Sequence, residues 1–118
     1  MKILCDGSGN GSAAMVVYNS KGRKIYSRVK HSVAKTNNEA EYHAMIMSLE
    51  YAASHGGAAI ITTDSQLIYN QLKGLYQVKA ENLLELHRKA SSILNSNPRI
   101  TIQWKPRVHV SEADELMR

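Results

Sequence analysis

Residues 2–34, KILCDGSGNGSAAMVVYNSKGRKIYSRVKHSVA, decide the fold. Residues 2–6 form a short apolar run ending on Asp6, and the Gly- and Ser-rich GSGNGSA that follows has the composition of a turn. Residues 13–19, AAMVVYN, read as a second strand, and NSKGRK, with Gly22, as a hairpin turn. Residues 24–34 alternate in part through Ile25, Ser27 and Val29 and read as a third strand. From Thr36 the period changes. Tyr42, Ile46, Leu49 and Ala53 recur at helical spacing up to Gly56-Gly57. AAIITT then reads as a short buried strand, Ser65 to Leu72 as a helix closed near Gly74, and residues 80–94 as a helix striped by Leu83, His87, Ala90 and Leu94. Asn97-Pro98 ends that helix, Ile100, Ile102 and Trp104 alternate as a fifth strand, and Ser111 is placed to cap a last short helix. This order predicts an α/β protein. Its mixed sheet has five strands, three antiparallel and then parallel additions, flanked by helices.

The bulk composition fits one modest core. The chain has 118 residues, of which 43% are apolar, and no repeat or linker divides residues 1–118, which read as a single domain. No run approaches the ~18 apolar residues of a membrane span, and no signal-peptide pattern opens the chain. The lone Cys5 has no internal partner, which fits a reducing compartment, and we expect a cytoplasmic monomer with no protein partner implied. A net charge of +5 favours a polyanionic partner.

Against that positive balance stand four acidic residues in four separate segments: Asp6 in KILCDGSG, Glu41 in TNNEAEYHA, Asp64 in IITTDSQ and Asp114 in EADELMR. Each follows or sits in a stretch that reads as rigid structure. Carboxylates are costly to bury, so four aimed at one place need cations between them. Oxygen ligands suit Mg²⁺ or Mn²⁺, and pairs of such ions drive phosphodiester cleavage. The DGS turn, TNN-x-x-E, TDSQ and A-D-E-L occur in the order and at spacings similar to those of type 1 ribonuclease H, and the chain resembles that family over nearly its whole length.

The resemblance implies a ribonuclease H-like fold and hydrolysis of the RNA strand of an RNA/DNA hybrid, with two Mg²⁺ ions, for which Mn²⁺ substitutes, and 5′-phosphate and 3′-hydroxyl products. It implies that Asp6 bridges both ions, that Glu41 and Asp64 hold the one that activates water, and that Asp114 completes the other site. It also implies substrate contacts from Gly7, Ser8 and Asn10 in the first turn, Thr36, Asn37 and Asn38 in the TNN segment, and Ser65 and Gln66 after Asp64. Gly7 would let nucleic acid approach the backbone. Two other classes stay open: another nuclease of this fold, such as a resolvase or transposase core, and a non-catalytic hybrid-binding module.

Glu39 and Glu41 separate on geometry. Thr36-Asn37-Asn38-Glu39 has the form of a capping box, which accounts for Glu39. Glu41 lies about 200° further round the helix, beside the apolar stripe, and points toward the sheet. The family's TNN-x-x-E spacing selects the same residue.

The chain also departs from the family. The turn after DGS is short, which makes the place of Asn10 ambiguous. Leu75 to Glu81 connects two helices directly, without the basic insertion that grips the hybrid in many members. Near the last aspartate, W-K-P-R-V-H-V-S-E-A-D replaces a Gly-rich loop carrying a mobile histidine. Some short members have arginine at the position of Arg107, which is therefore expected to approach the scissile phosphate, with His109 as competitor. Trp104 reads as a core residue, with stacking of an exposed face on a base as the alternative.

Overall fold

The computed structural model describes residues 1–118. Strands β1 (Lys2–Gly7), β2 (Ala13–Tyr18) and β3 (Lys24–Lys30) come first. Helix α1 (Asn37–His55), strand β4 (Ala59–Thr63), helices α2 (Gln66–Leu72) and α3 (Glu81–Ser96) and strand β5 (Ile100–Trp104) follow. A 3-10 turn over Arg107–Val110 leads into helix α4 (Ser111–Leu116). The sheet order is β3-β2-β1-β4-β5. β2 is antiparallel to both β1 and β3, whereas β4 runs parallel to β1 and to β5. The mixed five-stranded sheet expected from the sequence is thus present, with β1 at its centre.

Alternation along β1 divides the core. Ile3 and Cys5 belong to the larger cluster, with Met15, Tyr42, Met45, Leu49 and Ile61 between the sheet and α1. Leu4 belongs to a smaller cluster with Ala14, Val16, Val110, Ala113 and Met117, beneath α4. α1 is buried more widely than one amphipathic stripe allows. Ala44, Met45, Met47 and Ser48 are buried together with Tyr42, Ile46 and Leu49, because α1 lies between the sheet and α3.

Beyond shifts of one or two residues at other element ends, two features differ from the sequence reading. β3 stops at Lys30 rather than running to residue 34. Ser32 takes a positive φ of 54°, and the N–H groups of Val33 and Ala34 leave the ladder to donate to the Gly11 carbonyl, at 3.0 and 3.2 Å. This strap ties the β1–β2 turn to the segment that starts α1. Ser111 does not cap α4. It is the first helical residue, because the 3-10 turn runs straight into the helix.

Gly7, which also lines the polar cleft, has a packing role that the sequence reading did not include. A Cβ on Gly7 would lie 2.3 Å from the Glu41 backbone nitrogen and 2.4 Å from the Ala40 carbonyl carbon. The space on the Cβ side of the glycine is taken by the start of α1. Gly7→Ala should therefore destabilise by about 2–3 kcal/mol, the usual cost of overpacking. Thermal unfolding would show this as a fall in Tm of roughly 10 °C. A variant melting with the wild type would contradict the close approach of α1 to β1.

Candidate active site

Three carboxylates converge at one end of the central strands. Asp6 lies near the end of β1, Asp64 directly follows β4, and Glu41 reaches them from the first turns of α1. Ligand atoms of Asp6, Glu41 and Asp64 lie within 4.8 Å of one another. Strand ends of open α/β sheets are the usual seat of ligand sites. Here the cleft, about 230 Å³, is lined by Asp6, Gly7, Ser8, Gly9, Asn37, Glu41, Asp64, Ser65 and Arg107, with no apolar residue among them. Gly9 is the lining residue that the sequence reading missed.

The two glutamates of α1 behave as their helix faces predict. Glu39 accepts from the Thr36 N–H at 2.9 Å while the Thr36 hydroxyl accepts from the Glu39 N–H at 3.1 Å, closing the capping box. Glu41 is 5% exposed, and its Oε1 accepts from the Gly7 N–H at 2.5 Å. Its Oε2 has no partner, and neither has the buried Oδ2 of Asp6.

Orphaned carboxylate oxygens in a site this crowded carry a large cost. Desolvation is the main reason that both Asp6 and Glu41 are pushed well above the usual carboxylate range, and the charge of Asp64 adds to it. A hydrogen bond between the two carboxyls needs a shared proton. A divalent cation meets the same need without the proton, and an oxygen-only donor set suits Mg²⁺ or Mn²⁺. The residues present therefore fit such an ion.

Asp114 does not join this cluster. It lies on α4, beyond the small core, and its two oxygens accept from Arg107 at 3.1 Å and from Arg118 at 2.9 Å. Desolvation alone would raise its pKa, but the hydrogen bond and charge of Arg107, joined by Arg118, outweigh it and hold it below the ordinary aspartate range. Arg118 was not singled out from sequence. Its i,i+4 spacing from Asp114 on a short helix was the available signal.

The other predicted contacts divide. Ser8, Asn37 and Ser65 line the cleft, and so does Arg107. Asn10 does not, because its Oδ1 is taken by the Ser8 hydroxyl and by the Ser12 N–H at 3.1 Å. The Thr36 hydroxyl is committed to its cap. Asn38 and Gln66 are exposed at helix starts, outside the cleft. His109 lines a different cavity with Lys2, Leu4, Tyr18 and Glu112. Trp104 is not core: it is 36% exposed and its indole N–H bonds the Asp64 backbone.

A family model described as reverse transcriptase-like matches residues 4–118. The chain is 30% identical over 125 aligned positions to the bifunctional protein Rv2228c of Mycobacterium tuberculosis, covering 98% of this chain and 34% of that protein. Its fold matches the crystal structure of RNase H1 from Halobacterium salinarum with a TM-score of 0.88 and 28% identity, over 98% of this chain and 92% of that one. This chain belongs to the type 1 ribonuclease H family. LC11-RNase H1, solved with an RNA/DNA hybrid, matches with a TM-score of 0.87 and 29% identity, over 98% of this chain and 91% of that one. The chain spans about a third of the length of the mycobacterial relatives, 34% of each. No helix is long and apolar enough to cross a membrane.

The raised carboxyls make stability depend on pH and metal. Unfolded, both acids ionise near pH ~4; folded, they hold protons to higher pH. The folded state thus binds more protons, and metal-free stability falls as pH rises from ~4 through neutrality. At pH 8 Asp6→Asn should raise the metal-free Tm, and saturating Mg²⁺ should stabilise the wild type more than the variant. A lower metal-free Tm for Asp6→Asn would show that the carboxylate is a structural partner, not a repelled charge.

Proposed function

We propose that residues 1–118 form one catalytic domain, an endoribonuclease that hydrolyses the RNA strand of RNA/DNA hybrids and leaves 5′-phosphate and 3′-hydroxyl ends. The observation that carries this reading is the convergence of Asp6, Glu41 and Asp64 in an all-polar cleft. The likeness to LC11-RNase H1, solved with such a hybrid, supports the substrate.

The acidic set would hold two Mg²⁺ ions, with Mn²⁺ as substitute. When bound, they supply Lewis-acid stabilisation of the attacking and leaving oxygens. Asp6 would serve both ions, Glu41 and Asp64 would hold the one nearer the attacking water, and Asp114 would hold the one nearer the leaving 3′ oxygen. Arg107 links Asp114 to the cleft. Its charge is permanent and its planar fork matches phosphate, so it anchors the scissile group without transferring a proton. Ser8, Asn37 and Ser65 offer neutral donors and acceptors to sugars and base edges in the minor groove, where RNA displays its 2′-hydroxyl. Asn38 and Gln66 extend that surface. Eight residues separate α2 from α3, from Lys73 to Ala80, so no helical insertion adds a basic grip. Binding then rests on few phosphate contacts, each worth about −0.7 to −0.9 in the slope of log affinity against log salt. The working unit is proposed to be a cytoplasmic monomer; the single unpaired Cys5 suits a reducing compartment.

A labelled RNA strand, presented as hybrid, RNA duplex or single strand with Mg²⁺, Mn²⁺ or EDTA, tests this directly. Cleavage should be confined to the hybrid and abolished by EDTA. Glu41→Gln should remove nearly all turnover, and Glu39→Gln should leave it close to wild type, since glutamine still completes the cap. Arg107→Ala should cost roughly 10²-fold, the loss expected for one transition-state donor, and His109→Ala much less. Full activity in EDTA would refute metal-dependent hydrolysis. An acidic limb in the pH profile that disappears with His109→Ala would move the catalytic role from Arg107 to His109.

A further inference from the structure

Asp6 sits within the β1–β2 ladder, whereas Asp64 lies just past the end of β4. Glu41 is fixed by the Gly7 N–H. No salt bridge holds Asp64. Its main chain and those of its two neighbours are held by three hydrogen bonds. The Thr63 carbonyl accepts from the Lys105 N–H at 3.0 Å, and the Thr63 hydroxyl accepts from the Ser65 N–H at 3.1 Å. The third tie is to Asp64 itself: the Trp104 indole N–H donates to its carbonyl at 3.0 Å, across forty residues of sequence.

Trp104 ends the edge strand β5 and is 36% exposed, so it adds little to the core. An indole N–H has one use here. It holds the peptide plane between Asp64 and Ser65, and so the φ/ψ pair from which the Asp64 side chain departs. We infer that Trp104 is a positioning residue for Asp64, preorganising the cation site from outside the cleft. This inference rests on the proposed reading of the carboxylates as a divalent-cation site. Outer partners of metal ligands typically cost 10–100-fold in affinity or activity when lost. A tie that acts through the main chain belongs at the low end of that range.

Trp104→Phe keeps a ring at the end of β5 and removes the donor. In calorimetric titration with Mn²⁺ alone, without nucleic acid, its affinity should be about tenfold weaker than wild type. With hybrid substrate kcat should fall while KM stays unchanged, because Trp104 does not line the cleft. A fluorescence arm leaves Trp104 itself intact. Trp104 is the sole tryptophan, so saturating Mg²⁺, which does not quench fluorescence, should shift the emission of the wild type but not of Asp64→Asn. Equal Mn²⁺ affinity in Trp104→Phe and wild type, or emission unmoved by Mg²⁺ in a protein that binds it, would overturn the positioning role. Failure of the wild type itself to take up Mn²⁺ would overturn the cation-site reading, and the inference with it.

Discussion

Two carboxylates, Asp6 and Glu41, are buried against each other at the end of the central strand, each with an oxygen that no protein donor satisfies. Much of the surrounding structure can be read as what is needed to hold them there. Burying an unpaired carboxylate costs several kcal/mol, far more than any one surface contact returns, so the scaffold that holds it must be well packed. β1 supplies that scaffold, with β2 and β4 on either side and a core on each face. α1 supplies Glu41, and it can do so only because Gly7 lacks a side chain where the helix passes. The Gly7 N–H then donates to Glu41, so the glycine both admits the helix and orients its carboxylate.

Much of this was legible in the sequence. The three-strand opening, the change of period at Thr36 and the short apolar runs ahead of Asp6 and Asp64 point to the mixed sheet of three antiparallel strands with parallel additions, and place two of the acids at strand ends. Helical angle separated Glu41 from Glu39, since one face meets the sheet and the other closes a cap. What stayed illegible depends on contacts between segments distant in the chain. The close approach of Gly7 to α1, the docking of Val33 and Ala34 onto Gly11, and the reach of Trp104 to Asp64 have no local signature. The family resemblance implies ligand contacts for Asn10 and Thr36. The structure spends their polar atoms on a turn and a cap.

The charges outside the cluster are arranged around it. Asp114 is clamped by Arg107 and Arg118, and Arg107 also lines the cleft. The guanidinium therefore belongs both to the cleft rim and to the Asp114 ion pair. Pairing with Asp114 neutralises that carboxylate and keeps Arg107 extended across the rim. His109, two residues further on, faces a separate cavity beside Tyr18 and Glu112, because the 3-10 turn rotates successive residues away from one another.

The central claim is that Asp6, Glu41 and Asp64 form one cation site. It is tested most directly by a crystal structure of the chain soaked in Mn²⁺, with anomalous diffraction measured at the manganese edge. The account predicts an anomalous peak between these three carboxylates, contacted by Oδ2 of Asp6 and Oε2 of Glu41, the oxygens without a protein donor. A cluster bridged by a lysine or arginine side chain, with manganese bound elsewhere or not at all, would contradict it.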